Sequence, residues 1–317
     1  MSAASRLDPE LLAIVSAMPG MTAQQIASAD EQVLIQSFRN APPALPGTPG
    51  IAERDIGIPT RHGAVKARLY RPEGPAALPF VVNLHGGGWV GGTVEQDHAR
   101  CRALAGQTPC VVVSLDYSRA PEARFPVALD EAEDAVRWLA REGAGMGCNG
   151  GRFALCGSSS GGALAASLAQ RLCAAGGLVP AAQVLTYPVC DSSGDYPSWR
   201  DFASGYLLSA DMMRWFWRMY APEEAQRIDG EAAPMRAKTL RGNVPTLVVT
   251  AECDILRDEA EAYAARLREA GARVACTRYP GMIHGFISVA PAHPASLAAL
   301  RECSQFLATA FGAVPPR

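Results

Sequence analysis

The chain has 317 residues, of which 49% are hydrophobic and 19% are charged, and its formal net charge is −2 at pH 7. This composition is typical of a soluble globular protein with a large hydrophobic core, organised as one large domain with a small addition. The near-balance of charge excludes the strongly basic and strongly acidic classes, so we expect no nucleic-acid partner.

The first 50 residues begin with helical patterning and break up at the proline-rich stretch 41–47. An apolar patch at Leu11–Val15 is preceded by Asp8 and Glu10, where a secretory signal would carry positive charge, so we interpret it as one face of a helix. No segment approaches the roughly 20 apolar residues that a membrane-spanning helix needs, and we expect no membrane span.

Residue 51 marks a change to strand patterning. Two alternating segments, Ile56–Pro59 and Val65–Arg71, predict an antiparallel hairpin. Short apolar runs then alternate with helical stretches, which predicts an α/β fold with a mostly parallel central sheet flanked by helices. Strands are predicted at 80–84, 110–115, 153–156, 182–187, 246–250 and 273–279, and helices near 97–106, 127–142, 160–175, 258–270 and 295–311.

The stretch between Tyr187 and Thr246 is too long for a simple crossover between strands. It contains Ser209–Tyr220, a helix whose serine is a suitable N-cap. Apolar residues recur at 208, 212, 215, 216 and 219, which predicts one buried face. We therefore expect an inserted lid in this part of the chain.

Nine cysteines are scattered along the chain without a C-x-x-C pair or a His/Cys cluster. This pattern argues against a disulfide framework and against a metal site. It favours buried thiols in a reducing compartment, so the expected location is the cytoplasm.

The segment Gly157–Gly161 has the pattern G-x-S-x-G between a predicted strand and a predicted helix. This arrangement is typical of a nucleophile elbow, a sharp turn that exposes the serine hydroxyl. Glycine is needed two residues before and after the serine, because a Cβ there would collide as strand and helix cross. Of the three consecutive serines, only Ser159 has glycine on both sides at that spacing. An ordinary turn at a helix start has the same local pattern, so the interpretation depends on partner residues.

A serine hydroxyl needs a base to take its proton. Two histidines follow Ser159 in the chain. His293 lies between two prolines, in an expected surface loop, whereas His284 comes just after the last predicted strand. Because sites in open α/β sheets form at the carboxyl ends of strands, we predict that His284 is the base.

The base needs a carboxylate to orient it, and we expect this group just after another strand. Asp254 lies in the loop after strand 246–250. Asp258 begins the next helix, where the helix dipole alone favours an acidic residue, so we interpret it as a cap or loop brace. Asp254 is therefore the predicted orienting carboxylate, and Glu252 is the remaining alternative.

An oxyanion needs backbone N–H groups that converge on one point. The segment His85–Trp89 has the sequence HGGGW and directly follows a predicted buried strand. Its glycines let the main chain approach a substrate without a side chain between them. A plain flexible turn would have similar composition, but the position upstream of the elbow favours donors that join the N–H of Ser160.

Together these residues resemble the hormone-sensitive-lipase-like esterases, a bacterial branch of the α/β-hydrolase fold. Five motifs appear in the family's order over nearly the whole chain: His85–Gly88 matches HGGG, Asp116–Glu122 resembles DYRLAPE, Gly157–Gly162 resembles GDSAGG, Asp254–Asp258 resembles DPLRD, and His284–Phe286 matches HGF. The resemblance implies that Gly87, Gly88 and Ser160 donate to the oxyanion, and that the protein needs neither a cofactor nor a metal.

The resemblance also implies a helical cap made from the N-terminus and an insertion. We therefore expect an N-terminal cap segment at 1–50, an inserted cap segment at 190–227, and a catalytic domain from 51–189 and 228–317. The sequence departs from the family pattern at four places, which bear on the polarity and loop geometry around the elbow: Ser158 replaces an acidic residue, Ser160 replaces alanine, Ser118-Arg119 replaces Arg-Leu, and Ile255 replaces proline.

These observations predict a serine carboxylesterase that hydrolyses short- to medium-chain acyl esters through an acyl-enzyme. An amidase, a lactonase or a carbamate hydrolase would use the same residues, and the sequence does not separate them. A non-catalytic small-molecule receptor on the same scaffold would have lost one of the three catalytic residues, whereas all three positions are filled here. The expected partner is a small ester, and the oligomeric state, a homodimer included, stays open.

Overall fold

The computed structural model describes residues 6–40, 50–74, 77–240 and 243–312. Its centre is an eight-stranded sheet with the order β1-β2-β4-β3-β5-β6-β7-β8. The strands are β1 Ile51–Thr60, β2 Gly63–Pro72, β3 Leu78–Leu84, β4 Val111–Asp116, β5 Cys148–Ser158, β6 Gln183–Thr186, β7 Thr246–Cys253 and β8 Val274–Ile283.

The predicted hairpin is confirmed, because β1 pairs antiparallel with β2. β2 then pairs antiparallel with β4, and all pairs among β3 to β8 are parallel. The central strands are buried almost throughout, with Val81, Val82 and Val113 fully inaccessible. Nearly continuous β-branched runs of this kind are typical of parallel strands that are covered on both faces.

Helices precede, connect and follow these strands, and the predicted strand–helix alternation is confirmed. In the described part of the chain they are α1 Leu12–Ala17, α2 Ala23–Ser28, α3 Glu31–Arg39, α4 His98–Gln107, α5 Val127–Glu142, α6 Ser160–Ala175, α7 Pro197–Asp201, α8 Ala210–Tyr220, α9 Glu224–Arg227, α10 Arg257–Glu269, α11 Phe286–Val289 and α12 Pro294–Ala310. α4 packs against α12, and α5 packs against α6. The proline-rich stretch 41–47 lies outside the described residues.

The long stretch between β6 and β7 carries α7, α8 and α9, and its middle helix contacts the N-terminal helices. Ser209 caps α8 by accepting a hydrogen bond from the N–H of Met212 at 3.1 Å, as predicted. Asp211 accepts a hydrogen bond from the N–H of Ala23 at 2.9 Å, which ties α8 to the start of α2. Helix α8 of the insertion is therefore in direct contact with the N-terminal helix α2.

The predicted buried face of α8 is only partly right. Leu208, Trp215 and Phe216 are buried, but Met212 and Met219 are partly exposed. Three further residues are buried instead: Met213, Trp217 and Tyr220. A one-sided stripe underestimates the buried surface, because α8 contacts the N-terminal helices on one side and the HGGGW loop on another.

All nine cysteines are free, and only Cys173 and Cys276 are not fully buried. Within residues 6–40, 50–74, 77–240 and 243–312, no helix combines the length and the apolar character needed to cross a membrane.

Candidate active site

Ser159 lies at the sharp turn between β5 and α6, with φ of 53° and ψ of −121°. A non-glycine residue in such a conformation costs about 1–3 kcal/mol, so its surroundings must hold it there. The N–H of Ser159 donates to the carbonyl of Thr186 at 3.0 Å. Its carbonyl accepts from the N–H of Ala163 at 3.2 Å and of Val189 at 3.1 Å. The strained turn is therefore anchored from β6, from α6 and from the loop that follows β6.

The glycines around Ser159 stand where the elbow has no room for a side chain. A Cβ at Gly157 would lie 2.1 Å from the carbonyl oxygen of Gly161. A Cβ at Gly161 would lie 2.0 Å from the carbonyl oxygen of Leu84. Strand and helix can cross this closely only with hydrogen at both positions, as the sequence pattern predicted.

The predicted acid and base lie in one chain of hydrogen-bonded groups with Ser159. His284 Nε2 is 3.0 Å from Ser159 Oγ, and His284 Nδ1 is 2.8 Å from Asp254 Oδ2. The second carboxylate oxygen, Asp254 Oδ1, accepts the N–H of Leu256 at 2.9 Å. Each of the three residues directly follows the end of a parallel strand (β5, β7 or β8), which explains why residues so far apart in sequence meet.

The other acidic residues and the other histidine considered from the sequence make different contacts. The Glu252 carboxylate accepts the N–H of Gly281 at 2.9 Å and so fixes the last part of β8, before His284. Asp258 accepts the N–H of Ser198 at 2.8 Å, which makes it the predicted loop brace. His293 caps α12 by accepting the N–H of Ala295 at 3.1 Å.

Sequence reasoning missed the aromatic contact to His284. The Tyr187 ring packs edge-on against the imidazole, with ring centroids 5.1 Å apart. Tyr187 directly follows β6 and has a φ of 38°, an unusual conformation for a bulky residue. Its ring therefore restricts the tilt of the imidazole, and the only available signal was its position at a strand end.

The HGGGW loop passes directly beside the elbow. A Cβ at Gly86 would lie 3.3 Å from Ser159 Cβ. Gly87 and Gly88 have φ of 122° and 62°, and a Cβ on Gly88 would lie 2.3 Å from Cγ of Phe216. Glycine is therefore required both for the backbone conformation and because α8 lies against the loop. Ser160 is the first residue of α6, so its N–H has no partner within the helix.

His85, at the start of this loop, holds the loop in place by its contacts with Tyr117. Its ring stacks on Tyr117, with centroids 4.2 Å apart, and the Tyr117 hydroxyl donates to the His85 carbonyl at 2.8 Å. Burial lowers the pKa of His85, so the imidazole stays neutral. His85 thus fixes the end of β3 against the 116–122 segment.

The 116–122 segment, where the sequence departs from the family pattern, is anchored by α5. The N–H and the hydroxyl of Ser118 both donate to the buried Glu131 carboxylate, at 2.7 Å and 2.6 Å. Arg119 donates to the carbonyl of Gly92, at the far end of the glycine loop. Ser118 and Arg119, which stand where the family pattern has Arg-Leu, therefore both contribute to fixing the 116–122 segment. Nothing in the structure explains Ile255 in place of proline.

Among the described ranges, no group of three or more His, Cys, Asp or Glu residues is arranged to hold a metal ion.

Comparisons with known proteins identify the family of the chain. A family model described as the α/β hydrolase fold matches residues 81–288. An ethyl acetate hydrolase of Pseudomonas putida is 40% identical over 238 residues, covering 74% of this chain and 75% of that one. A carboxylesterase of Mycobacterium tuberculosis is 31% identical over 297 residues, with 92% of each chain covered.

Solved structures give the same result. A thermostable esterase from Pseudomonas putida superposes with a TM-score of 0.88 at 33% identity, over 96% of this chain and 98% of that one. An esterase from the archaeon Pyrobaculum calidifontis has a TM-score of 0.83 at 35% identity, with the same coverage. The chain belongs to this α/β-hydrolase family, and its resemblance to the hormone-sensitive-lipase-like esterases is confirmed.

Proposed function

We propose that this protein is a serine carboxylesterase in which Ser159 is the nucleophile, His284 the general base and Asp254 the orienting carboxylate. Its relatives make it a carboxylic ester hydrolase. The observation that supports the roles of these residues is the hydrogen-bonded chain from Asp254 through His284 to Ser159, with distances of 2.8 Å and 3.0 Å.

In this proposal Ser159 Oγ attacks the ester carbonyl carbon while His284 Nε2 takes its proton. Asp254 accepts a hydrogen bond from the Nδ1–H of His284 and so keeps Nε2 unprotonated and able to act as the base. The carbonyl oxygen becomes an oxyanion, which the N–H groups of Gly87, Gly88 and Ser160 stabilise. His284 then protonates the leaving alcohol, and an acyl-enzyme remains on Ser159. Water, activated by the same histidine, releases the acid and restores the serine.

We propose that substrates are small esters of short- to medium-chain acids. The helical cap would consist of the N-terminal segment 1–50 and the insertion 190–227, over a catalytic domain of 51–189 and 228–317. Phe216 of the insertion lies against Gly88 of the oxyanion loop, and Phe38 packs edge-on against Phe216 with centroids 5.1 Å apart. In this proposal the rings of Phe216 and Phe38 limit the length of the acyl group. Each buried CH₂ adds ~0.8 kcal/mol until the pocket ends, so activity should rise over a few carbons and then fall.

We also propose a cytoplasmic location, because the nine cysteines are free thiols. Thiols in this number persist unpaired in a reducing compartment.

The roles are tested with Ser159→Ala and, as a matched control, Ser158→Ala. Loss of the nucleophile should lower kcat by at least ~10³, since only binding and oxyanion stabilisation remain. Ser158→Ala should keep most of the activity, because Ser158 lacks the flanking glycines. An aryl phosphonate should label Ser159 alone in peptide mass analysis. Full activity of Ser159→Ala, or label on another serine, would refute the assignment.

The substrate class is tested with p-nitrophenyl esters from acetate to palmitate, with the matching p-nitroanilides beside them. We expect the highest activity for acyl chains within about C2 to C8, because longer chains would extend beyond the end of the apolar pocket. Equal cleavage of palmitate would contradict the acyl-length proposal, and equal cleavage of the anilides would favour an amidase.

A further inference from the structure

Arg39, the last residue of α3, reaches from the N-terminal segment into the loops around the active site. Its Nε donates to the carbonyl of Val90 at 2.9 Å, and its Nη2 donates to the carbonyl of Ala120 at 2.8 Å. The guanidinium thus joins the glycine-rich loop to the 116–122 segment. These partners lie 51 and 81 residues away in sequence, so no local pattern marks Arg39.

The neighbouring residue makes a second contact with the same loop. The carbonyl of Phe38 accepts the N–H of Gly92 at 3.1 Å. A Cβ on Gly91 would lie only 2.5 Å from Phe38 Cβ, so the end of α3 and the loop are in close contact. α3 therefore holds the loop at two successive residues, one through a side chain and one through the backbone.

The loop depends on such external contacts to keep its conformation. Gly87, Gly88, Trp89 and Gly92 all have positive φ, and a glycine-rich segment loses much conformational entropy on ordering. Its internal backbone hydrogen bonds run to one carbonyl, that of Gly87, from Val90 at 3.2 Å and Gly91 at 2.8 Å. The carbonyls of Trp89, Val90 and Gly92 accept hydrogen bonds from outside the loop, from Ala120, Arg39 and Arg119 respectively.

The two segments that Arg39 joins also bond directly. The N–H of Ala120 donates to the carbonyl of Trp89 at 2.9 Å, and the carbonyl of Ala120 accepts from Arg39. Arg39 thus completes a closed set of contacts among Trp89, Val90 and Ala120. Trp89 and Val90 directly follow Gly87 and Gly88, the two glycines proposed to donate to the oxyanion.

We propose that Arg39 is a positioning residue for the oxyanion hole: by fixing the Val90 and Ala120 carbonyls, it sets the direction of the Gly87 and Gly88 N–H groups. This inference rests on the proposed function. It assigns the N-terminal segment a part in transition-state stabilisation that is distinct from covering the substrate.

Glu122 provides the means to separate this effect from a simple ion pair. Its carboxylate accepts from Arg39 Nη1 and Nη2 at 2.9 Å and 2.6 Å, and this bond lowers the pKa of Glu122 to about 2. The Glu122 side chain is 60% exposed, and exposed ion pairs contribute little to stability. Glu122→Gln therefore removes the ion pair but leaves both carbonyl contacts of Arg39 in place.

The experiment compares Arg39→Ala, Arg39→Lys and Glu122→Gln in the full chain. Complete removal of one oxyanion donor lowers kcat about 10²- to 10³-fold, and a displaced donor should cost less. We therefore expect kcat of Arg39→Ala to fall about 10- to 100-fold with little change in KM, because substrate binding does not use the oxyanion contact. Arg39→Lys, which can reach one carbonyl, should be intermediate, and Glu122→Gln should resemble the wild type.

A second readout is specific for the oxyanion. A trifluoromethyl ketone forms a tetrahedral adduct with the serine, whereas the matching methyl ketone binds without forming one. For Arg39→Ala, the inhibition constant of the first should rise by the same factor as kcat/KM falls, and that of the second should stay constant. Both binding constants are measured on protein whose folding is verified by circular dichroism, and Arg39→Lys replaces Arg39→Ala if the latter does not fold.

The outcomes separate this inference from the proposed function. If Ser159→Ala keeps its activity, the serine mechanism itself is wrong. If Ser159→Ala is inactive but the Arg39 variants keep wild-type kcat, or lose affinity for both ketones equally, only the positioning role is refuted. An equal loss in Glu122→Gln would also refute it, because the carbonyl contacts would then not be the cause.

Discussion

Replacing Asp254 with asparagine should reverse the tautomer of His284 while leaving the fold intact. The N–H of Leu256 donates to Asp254 Oδ1 at 2.9 Å, so the amide oxygen of the substituted side chain must take that position. The amide NH₂ then faces His284 Nδ1, which the carboxylate approaches to 2.8 Å in the wild type. With the side chain only 1% exposed, the amide cannot turn towards solvent. Nδ1 would accept a hydrogen bond, and the imidazole proton would move to Nε2. Nε2 could then no longer accept the proton of Ser159.

The magnitude follows from the cost of restoring the active tautomer. In that tautomer the NH₂ and the Nδ1–H are two buried donors that face each other, and each costs about 1–3 kcal/mol when unpaired. The total of about 2–6 kcal/mol corresponds to a fall in kcat of roughly 30-fold to 2 × 10⁴-fold, at about 1.4 kcal/mol for each factor of ten. Stability should change by less than about 1 kcal/mol, because every group keeps a partner in the inactive tautomer.

The assay is hydrolysis of p-nitrophenyl butyrate, with the free energy of unfolding measured in urea. Glu252→Gln is the control, since Glu252 contacts the N–H of Gly281 and not the imidazole. It should keep kcat within about threefold of the wild type, as expected for a residue outside the reacting groups. If Asp254→Asn keeps more than about a tenth of the wild-type kcat, the tautomer argument is refuted.

Three further predictions concern the elbow, the oxyanion loop and a buried carboxylate. Gly161→Ala places a Cβ 2.0 Å from the Leu84 carbonyl, so unfolding in urea should show a loss of about 3 kcal/mol or more; a stable variant would contradict the close crossing. Gly88→Ala should lower kcat about 10²-fold, and adding Phe216→Ala should recover part of it, because the new Cβ would lie 2.3 Å from that ring. Burial raises the pKa of Glu259 from 4.5 to about 8, so the folded state binds this proton more tightly and stability should fall as pH rises between those values. Unfolding curves at several pH values should show a flatter profile for Glu259→Gln, and an unchanged profile would contradict this.

The sequence predicted the parts of the fold and site whose requirements are local. A serine between two glycines, a histidine after a strand and an aspartate after another strand all follow from where an elbow and a sheet edge need them. The parallel strands were found because burial on both faces leaves only apolar runs. The order of these elements along the chain then limited which residues could meet.

Features set by tertiary contacts were not predictable. β5 begins at Cys148, although Asn149 to Gly151 has the composition of a turn. The structure supplies the reason: a Cβ on Gly150 would lie 2.0 Å from the Ala140 carbonyl of α5, so glycine here serves packing between strand and helix. β8 similarly runs on through Pro280, which an edge strand accommodates.

The same limit applies to the site. Tyr187 and Arg39 act through partners that are distant in sequence, and no short pattern marks either residue. The buried face of α8 extends beyond the predicted stripe because two separate neighbours cover it. Such residues become identifiable only when the neighbouring elements have been placed.

The aromatic contacts of Trp89 make its intrinsic fluorescence sensitive to the position of α8. The indole is 1% exposed and stacks on Tyr220 of α8, with centroids 4.3 Å apart and planes 4° from parallel. Trp217 of the same helix lies 4.6 Å away. Any outward movement of α8 would separate these rings and admit water to Trp89, which shifts indole fluorescence to longer wavelength. The part of the emission change during turnover that a Trp89→Phe variant lacks would therefore report the motion of this helix relative to the glycine loop, without an attached dye.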